Sequence, residues 1–196
     1  MADDAGEVTV IFCDICHFHD LVNECQDSVI EILDDVFRAF DSYCKKEGVQ
    51  KIETVGKTYM ACGGLKFLES TLTPEQQETN PTKRTVNVAR KMLQFIKTYN
   101  YKPGKKLFIK IGIHRGNCIL GLLGFHKPQF SLIGDTINTT SRHCTTGQTS
   151  SIVLSAEARN HLGGDQDVRL IVSWQNSQEK PTILCFFIFL SREKFT

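Results

Sequence analysis

The chain has 196 residues, 41% of them hydrophobic and 23% charged, which suits one globular domain, residues 1–196, with enough length to bury a proper core. A formal net charge of +1, without any block of Lys or Arg, gives no general pull toward nucleic acid or an anionic membrane, and no nucleic-acid partner is expected.

Val8 to Phe12 is an apolar, β-branched run that reads as a buried strand, and it leads into the polar cluster "CDICHFHD". From Asp27 onward, Val29, Leu33, Val36, Phe37, Phe40 and Cys44 recur at helical spacing and predict an amphipathic helix that stops near Gly48. Lys51 to Val55 and Thr58 to Cys62 read as two short strands around Gly56-Lys57, where a type II′ hairpin turn wants glycine first. Lys66 to Asn80 is polar and turn-rich. Asn80-Pro81 then supplies a cap and a first-turn proline for a second helix carrying Val88, Met92, Phe95, Ile96 and Tyr99, ending before Pro103.

Leu107 to His114 and Cys118 to Leu123 read as a second hairpin about Arg115-Gly116-Asn117, and Gly134-Asp135 opens a polar helix, "TINTTSRHC". Ile152 to Leu154, Val168 to Ser173 and Thr182 to Leu190 read as further strands. The order β-α-β-β-α-β with extra C-terminal strands argues an α+β sheet of the split βαβ kind, with helices on one face.

Eight cysteines are scattered through apolar segments, and no signal-peptide pattern opens the chain, so a reducing, cytosolic setting is expected. The longest apolar run, Ile183 to Leu190, is far short of the roughly 20 residues of a membrane span. This segment is therefore not expected to be membrane-inserted, whatever its parent protein does.

The stretch "ETVGKTYMACGG" contains Gly-Lys-Thr, the end of a phosphate-binding P-loop. A P-loop also needs a glycine at the start of its loop, and that position is Lys51. Lys57 is instead expected at a hairpin tip. Asp14 ends a buried strand, where a carboxylate can be held toward a metal ion, although an aspartate there also serves as a turn or capping residue. Asn138 and Arg142 lie one helical turn apart and offer an amide and a guanidinium to one anionic target; an exposed polar helix is the plain alternative. Asn138-Thr139-Thr140 is a glycosylation sequon, which would need a secretory compartment. Cys13 and Cys16 with His17 and His19 could suggest zinc, but on a continued strand the two cysteines point to opposite faces, and no second pair closes a site.

Four segments carry a family resemblance: "VTVIFCDICHF", "VQKIETVGKTYMACGGL", "IKIGIHRGNCILGLLG" and "KPQFSLIGDTINTTSRHCTTG". In this order and spacing they resemble the catalytic domain of class III nucleotidyl cyclases, from about Glu7 to His161. The resemblance implies the ferredoxin-like α+β core of that family, a mainly antiparallel sheet with helices packed on it. It also implies head-to-tail pairing, in which each composite active site takes metal-binding aspartates from one domain and purine and transition-state residues from the other.

By that resemblance the two metal aspartates fall at Asp14 and at position 57, which is Lys57. A lysine there would neutralise Asp14 and repel a divalent cation, so the metal site is degenerate. Glu53 falls where guanylyl cyclases carry a glutamate, able to accept from guanine N1–H and its 2-amino group, and Ser131 falls at the second purine-reading position. Asn138 and Arg142 coincide with the ribose-positioning asparagine and the transition-state arginine. Lys180 is the only candidate for the phosphate-binding lysine.

The implied activity is a guanylate cyclase half that converts GTP to cyclic GMP and pyrophosphate, inactive as an isolated domain. The two Mg²⁺ or Mn²⁺ ions are expected on a second cyclase domain of the same parent, with homodimerisation in isolation as the other pairing. The combination looks most like the first cyclase half of protozoan guanylyl cyclases with a P-type ATPase-like membrane part, which implies a cytosolic domain of an integral membrane protein. The alternative is a regulatory pseudo-cyclase that dimerises or binds nucleotide without turnover.

Overall fold

A computed structural model describes residues 2–124, 126, 129–163, 170–175 and 183–188. In chain order the elements are β1 (Ala2–Ile15), α1 (Phe18–Glu24), α2 (Val29–Glu47), β2 (Gln50–Val55), β3 (Thr58–Gly63), the short helices α3 (Lys66–Glu69) and α4 (Pro74–Glu78), and α5 (Pro81–Thr98). There follow a ribbon of β4 (Asn100–Lys102) and β5 (Lys105–Lys106), then β6 (Ile109–Leu123), β7 (Gln129–Ile133), α6 (Asp135–Thr146), β8 (Ile152–Leu154), α7 (Ala156–Leu162), β9 (Leu170–Gln175) and β10 (Ile183–Ile188).

The main sheet runs β2-β3-β1-β6-β8-β10-β9, with β7 added to the far half of β6. β1 and β2 are joined through helices while β3 sits between them, which is the split βαβ arrangement, and every neighbour pair from β2 to β6 is antiparallel. Only β6 and β8 pair in parallel among the described strands.

Alternation along the strands separates two faces. Ile11, Cys13, Tyr59, Ala61, Ile111 and Ile113 point to one of them and meet the apolar stripes of α2 and α5. On α2, Val36 and Phe40 are fully buried, and each such side chain contributes about 1.5–3 kcal/mol relative to exposure. Gly48 closes α2 in the left-handed conformation, with φ 66° and its N–H donating to the carbonyls of Cys44 and Lys45. Asn80 caps α5 as expected, accepting from the Lys83 N–H at 2.8 Å.

Val8, Val10, Met60, Cys62, Cys118 and Leu132 form a second core on the opposite face. Helix α6 lies on this side, packing Ile137 against that core, so the expectation of helices on one face only is corrected. The reason is in β6: a Cβ on Gly112 would stand 2.2 Å from the Cys144 backbone nitrogen, so the bare glycine lets α6 rest directly on the strand.

A second correction concerns Arg115-Gly116-Asn117. These residues do not turn; they continue β6 and pair with Thr9, Val8 and Glu7 of β1. β1 extends well beyond its apolar run and supplies partners for β6 from Ile109 to Gly121. Gly116 is there for close approach as well, since its Cβ would lie 2.6 Å from Thr136 Oγ1. The hairpin partner of β6 is β7, paired from Ile119–Ile133 to Leu123–Gln129. The "CDICHFHD" cluster contains the end of β1 and the start of α1, and α3 and α4 lie within the polar stretch from Lys66 to Asn80. Of the expected C-terminal strands, the described parts are β8, β9 and β10; residues 168–169, 182 and 189–190 lie outside the described residues.

Candidate active site

The β2–β3 hairpin delivers Lys57 to the end of β1. Gly56 takes the positive φ of 56° that the turn requires, while Lys57 is not among the positive-φ residues, as a type II′ turn demands. The tip is tied to β1 through the Ile15 N–H, which donates to the Lys57 carbonyl at 3.1 Å. The Lys57 ammonium sits 3.4 Å from Asp14 Oδ2, and the Thr58 hydroxyl donates to Asp14 Oδ1 at 2.7 Å. Both carboxylate oxygens are thus engaged within the chain, and the Asp14 side chain is only 15% exposed.

Glu53 is half-buried on β2 opposite Met60, which in turn faces Phe12 on β1. By alternation it shares the face of Asp14, displaced by two strands and two residues, or roughly 12 Å. Ser131 is half-buried on β7 opposite Gly121, on the other side of that strand from Leu132. Strands β2 and β7 approach one another. Between them lies a groove of about 400 Å³ whose walls include Ile52, Leu120 and Phe130, so the chain neighbours of Glu53 and Ser131 both line it.

Helix α6 buries Thr136, Thr140, His143 and Cys144 and turns Asn138 and Arg142 to the opposite, exposed side. Neither side chain makes a hydrogen bond or ion pair with another described residue. Beneath the helix the His143 ring stacks on His114 with centroids 6.1 Å apart, and His114 Nδ1 is 2.8 Å from Ser155 Oγ. Burial pushes the His143 pKa down to about 4, with His114 as a lesser cause. Lys110, opposite Asp14 on β6, donates to the Thr145 carbonyl at the end of α6. The β6–β7 hairpin exposes Ile119, Leu122, Leu123, Phe130 and Ile133.

Residues 1–179 match the family profile described as the adenylate and guanylate cyclase catalytic domain. The chain belongs to this cyclase family. Among its relatives, the receptor-type guanylate cyclase gcy-5 of Caenorhabditis elegans is 32% identical over 158 residues, which is 79% of this chain and 13% of that protein. The chain thus spans about an eighth of the relatives it matches. The guanylate cyclase domain of RhGC from Catenaria anguillulae, solved in complex with GTP, superposes with a TM-score of 0.82 at 25% identity, covering 97% of this chain and 100% of that one. The adenylyl cyclase CyaB from P. aeruginosa shares the fold, with a TM-score of 0.79 at 19% identity and full coverage of both chains.

Cyclase domains of this family use divalent metal ions, and the residues at this chain's Asp14 corner do not fit one. A divalent cation needs several oxygen ligands, whereas Asp14 faces an ammonium and a hydroxyl donor. Among the described residues no three His, Cys, Asp or Glu side chains converge as a metal site requires. Cys13 turns into the core beside Tyr59, away from Asp14.

The structure therefore brings Asp14 to Lys57, aligns Asn138 with Arg142, and puts Glu53 and Ser131 on two strands that flank one groove. Lys180 lies outside the described residues. Thr58 is the site residue that sequence reasoning missed; its place opposite Asp14 follows from the β1–β3 register and has no motif of its own.

Proposed function

We propose that this cyclase domain is the purine-recognising half of a guanylate cyclase, turning GTP into cyclic GMP and pyrophosphate with a partner domain that holds the Mg²⁺ or Mn²⁺ ions. The observation that carries this reading is the Asp14–Lys57 pair at 3.4 Å, a metal corner neutralised from within, beside a helix whose Asn138 and Arg142 face outward. Their outward direction supports a target outside this chain, as a composite site requires.

In the composite site Glu53 accepts from guanine N1–H and the 2-amino group, and Ser131 donates to O6. Asn138 holds the ribose so that its 3′-oxygen lies in line with the α-phosphorus, and Arg142 offsets the charge that develops as pyrophosphate leaves. Lys180 is the candidate for the departing phosphates. The exposed apolar row on β6 and β7 supports a covering partner. The receptor-type relatives support a cytosolic domain within a membrane protein.

Cyclic nucleotide production from Mn²⁺-GTP and Mn²⁺-ATP tests this, for the chain alone and mixed with the second cyclase domain of its parent protein. The expected result is silence alone and GTP-selective turnover on mixing. Robust turnover alone would overturn the half-site reading. Silence in both would favour a regulatory pseudo-cyclase, the reading that the same ion pair also supports.

A further inference from the structure

Strand β2 changes register against β3 between Lys51 and Glu53. Lys51 and Glu53 are two residues apart, and on a regular strand they would share one face. Lys51 pairs with Ala61 and reaches below the sheet to α2, its ammonium 2.9 Å from Asp41 Oδ2 and 5.4 Å from the centre of the Tyr59 ring. The Tyr59 hydroxyl, on a fully buried ring, donates to Asp41 Oδ1 at 2.7 Å. Continued regularly, the ladder would set Glu53 opposite Tyr59 and aim it at α2 with Lys51.

The observed register instead sets Glu53 opposite Met60, with a shift between Lys51 and Glu53. Ile52 is the extra residue of a β-bulge, and it packs into the core with Met60 and Leu120. One inserted residue thus reverses the face of everything that follows it. Lys51 is held on one side of the sheet and Ile52 and Glu53 are delivered to the other.

We propose that the Asp41–Lys51–Tyr59 network is a specificity-positioning device: by anchoring Lys51 beneath the sheet it fixes the bulge and so presents the Glu53 carboxylate to the base. This rests on the reading that Glu53 recognises guanine. Lys51 and Asp41 act through Glu53 and touch no substrate. The Tyr59 hydroxyl is what makes the anchor exacting, because a buried phenol needs its acceptor. Lys51 supplies the counter-charge that keeps Asp41 in place.

The test is the ratio of kcat/KM for GTP over ATP in the paired enzyme, measured for Lys51→Met, Asp41→Asn and Lys51→Arg, with Glu53→Lys/Ser131→Asp as the reference. Lys51→Met and Asp41→Asn are expected to lower the ratio by about tenfold while ATP turnover persists, and Lys51→Arg to restore it. An unchanged ratio in Lys51→Met and Asp41→Asn, with a shifted ratio in the reference, would overturn the device and leave the role of Glu53 standing. Equal losses with both nucleotides would also overturn it, by showing a merely structural network. An unchanged ratio in the reference would remove Glu53 from guanine recognition and the device with it.

Discussion

Two corners of this cyclase domain carry polar groups of the kind catalysis uses, and they are finished to different degrees. At the end of β1, Asp14 is closed off by the Lys57 ammonium and the Thr58 hydroxyl. On the outer side of α6, Asn138 and Arg142 are exposed and their side chains make no hydrogen bond or ion pair with another described residue, although the inner side of the same helix is packed onto Gly112 and His114. A carboxylate that already faces an ammonium and a hydroxyl donor is poorly placed to take a metal ion, whereas an amide and a guanidinium on the outer side of a well-seated helix are open to an anion from outside. The contrast teaches that the chain satisfies one set of polar groups from within and leaves another facing outward.

Arg142→Ala breaks the comparison on its active side. In the paired enzyme it is expected to lower kcat for GTP by about 10²–10³-fold, the scale of a lost transition-state charge contact, while the melting temperature of the isolated chain stays unchanged. Steady-state cyclic GMP kinetics beside a thermal melt check both halves of that statement.

The inner side of α6 gives the next largest effect. His143 is buried with its pKa at about 4, against an ordinary value of 6.5. Between those values the unfolded chain binds the proton and the folded chain does not, so stability falls as pH drops through this window. The full loss is about 3 kcal/mol below pH ~4. Denaturant titrations from pH 7 to pH 4 should show this loss in the wild type and a shallower one in His143→Met.

Exchanging the base readers sharpens the comparison on the purine side. Glu53→Lys with Ser131→Asp should move the GTP/ATP preference of the paired enzyme by about 10–100-fold toward ATP, read from kcat/KM for the two nucleotides. The smallest effect belongs to the closed corner. The Lys57 side chain is 46% exposed, and Lys57→Met should cost less than about 1 kcal/mol of stability, measured by chemical denaturation. A larger cost would make the pair a structural support rather than a retired metal corner.

Much of this organisation was legible in the sequence. The stripe from Val29 to Cys44, the cap at Asn80-Pro81 and the Gly56-Lys57 turn each follow from local rules, and the turn is what carries Lys57 to Asp14. What remained hidden depended on contacts between distant segments. Gly116 reads as a turn residue because its purpose, the approach of Thr136, lies on another element. The placement of α6 on the second face turns on Gly112 in the same way. The bulge at Ile52 leaves no local mark either, since it exists only in the register between β2 and β3 and in the pull of Asp41 on Lys51.

The division of labour is tested most directly by substituting Asp14→Asn in this chain and measuring GTP turnover after pairing with the second cyclase domain. If the metals are held by the partner, turnover should stay within about twofold of the wild-type pair, under conditions in which Arg142→Ala lowers it by about 10²–10³-fold. Loss of turnover in Asp14→Asn, with the fold intact by thermal melt, would mean that Asp14 serves the reacting site and would contradict the account.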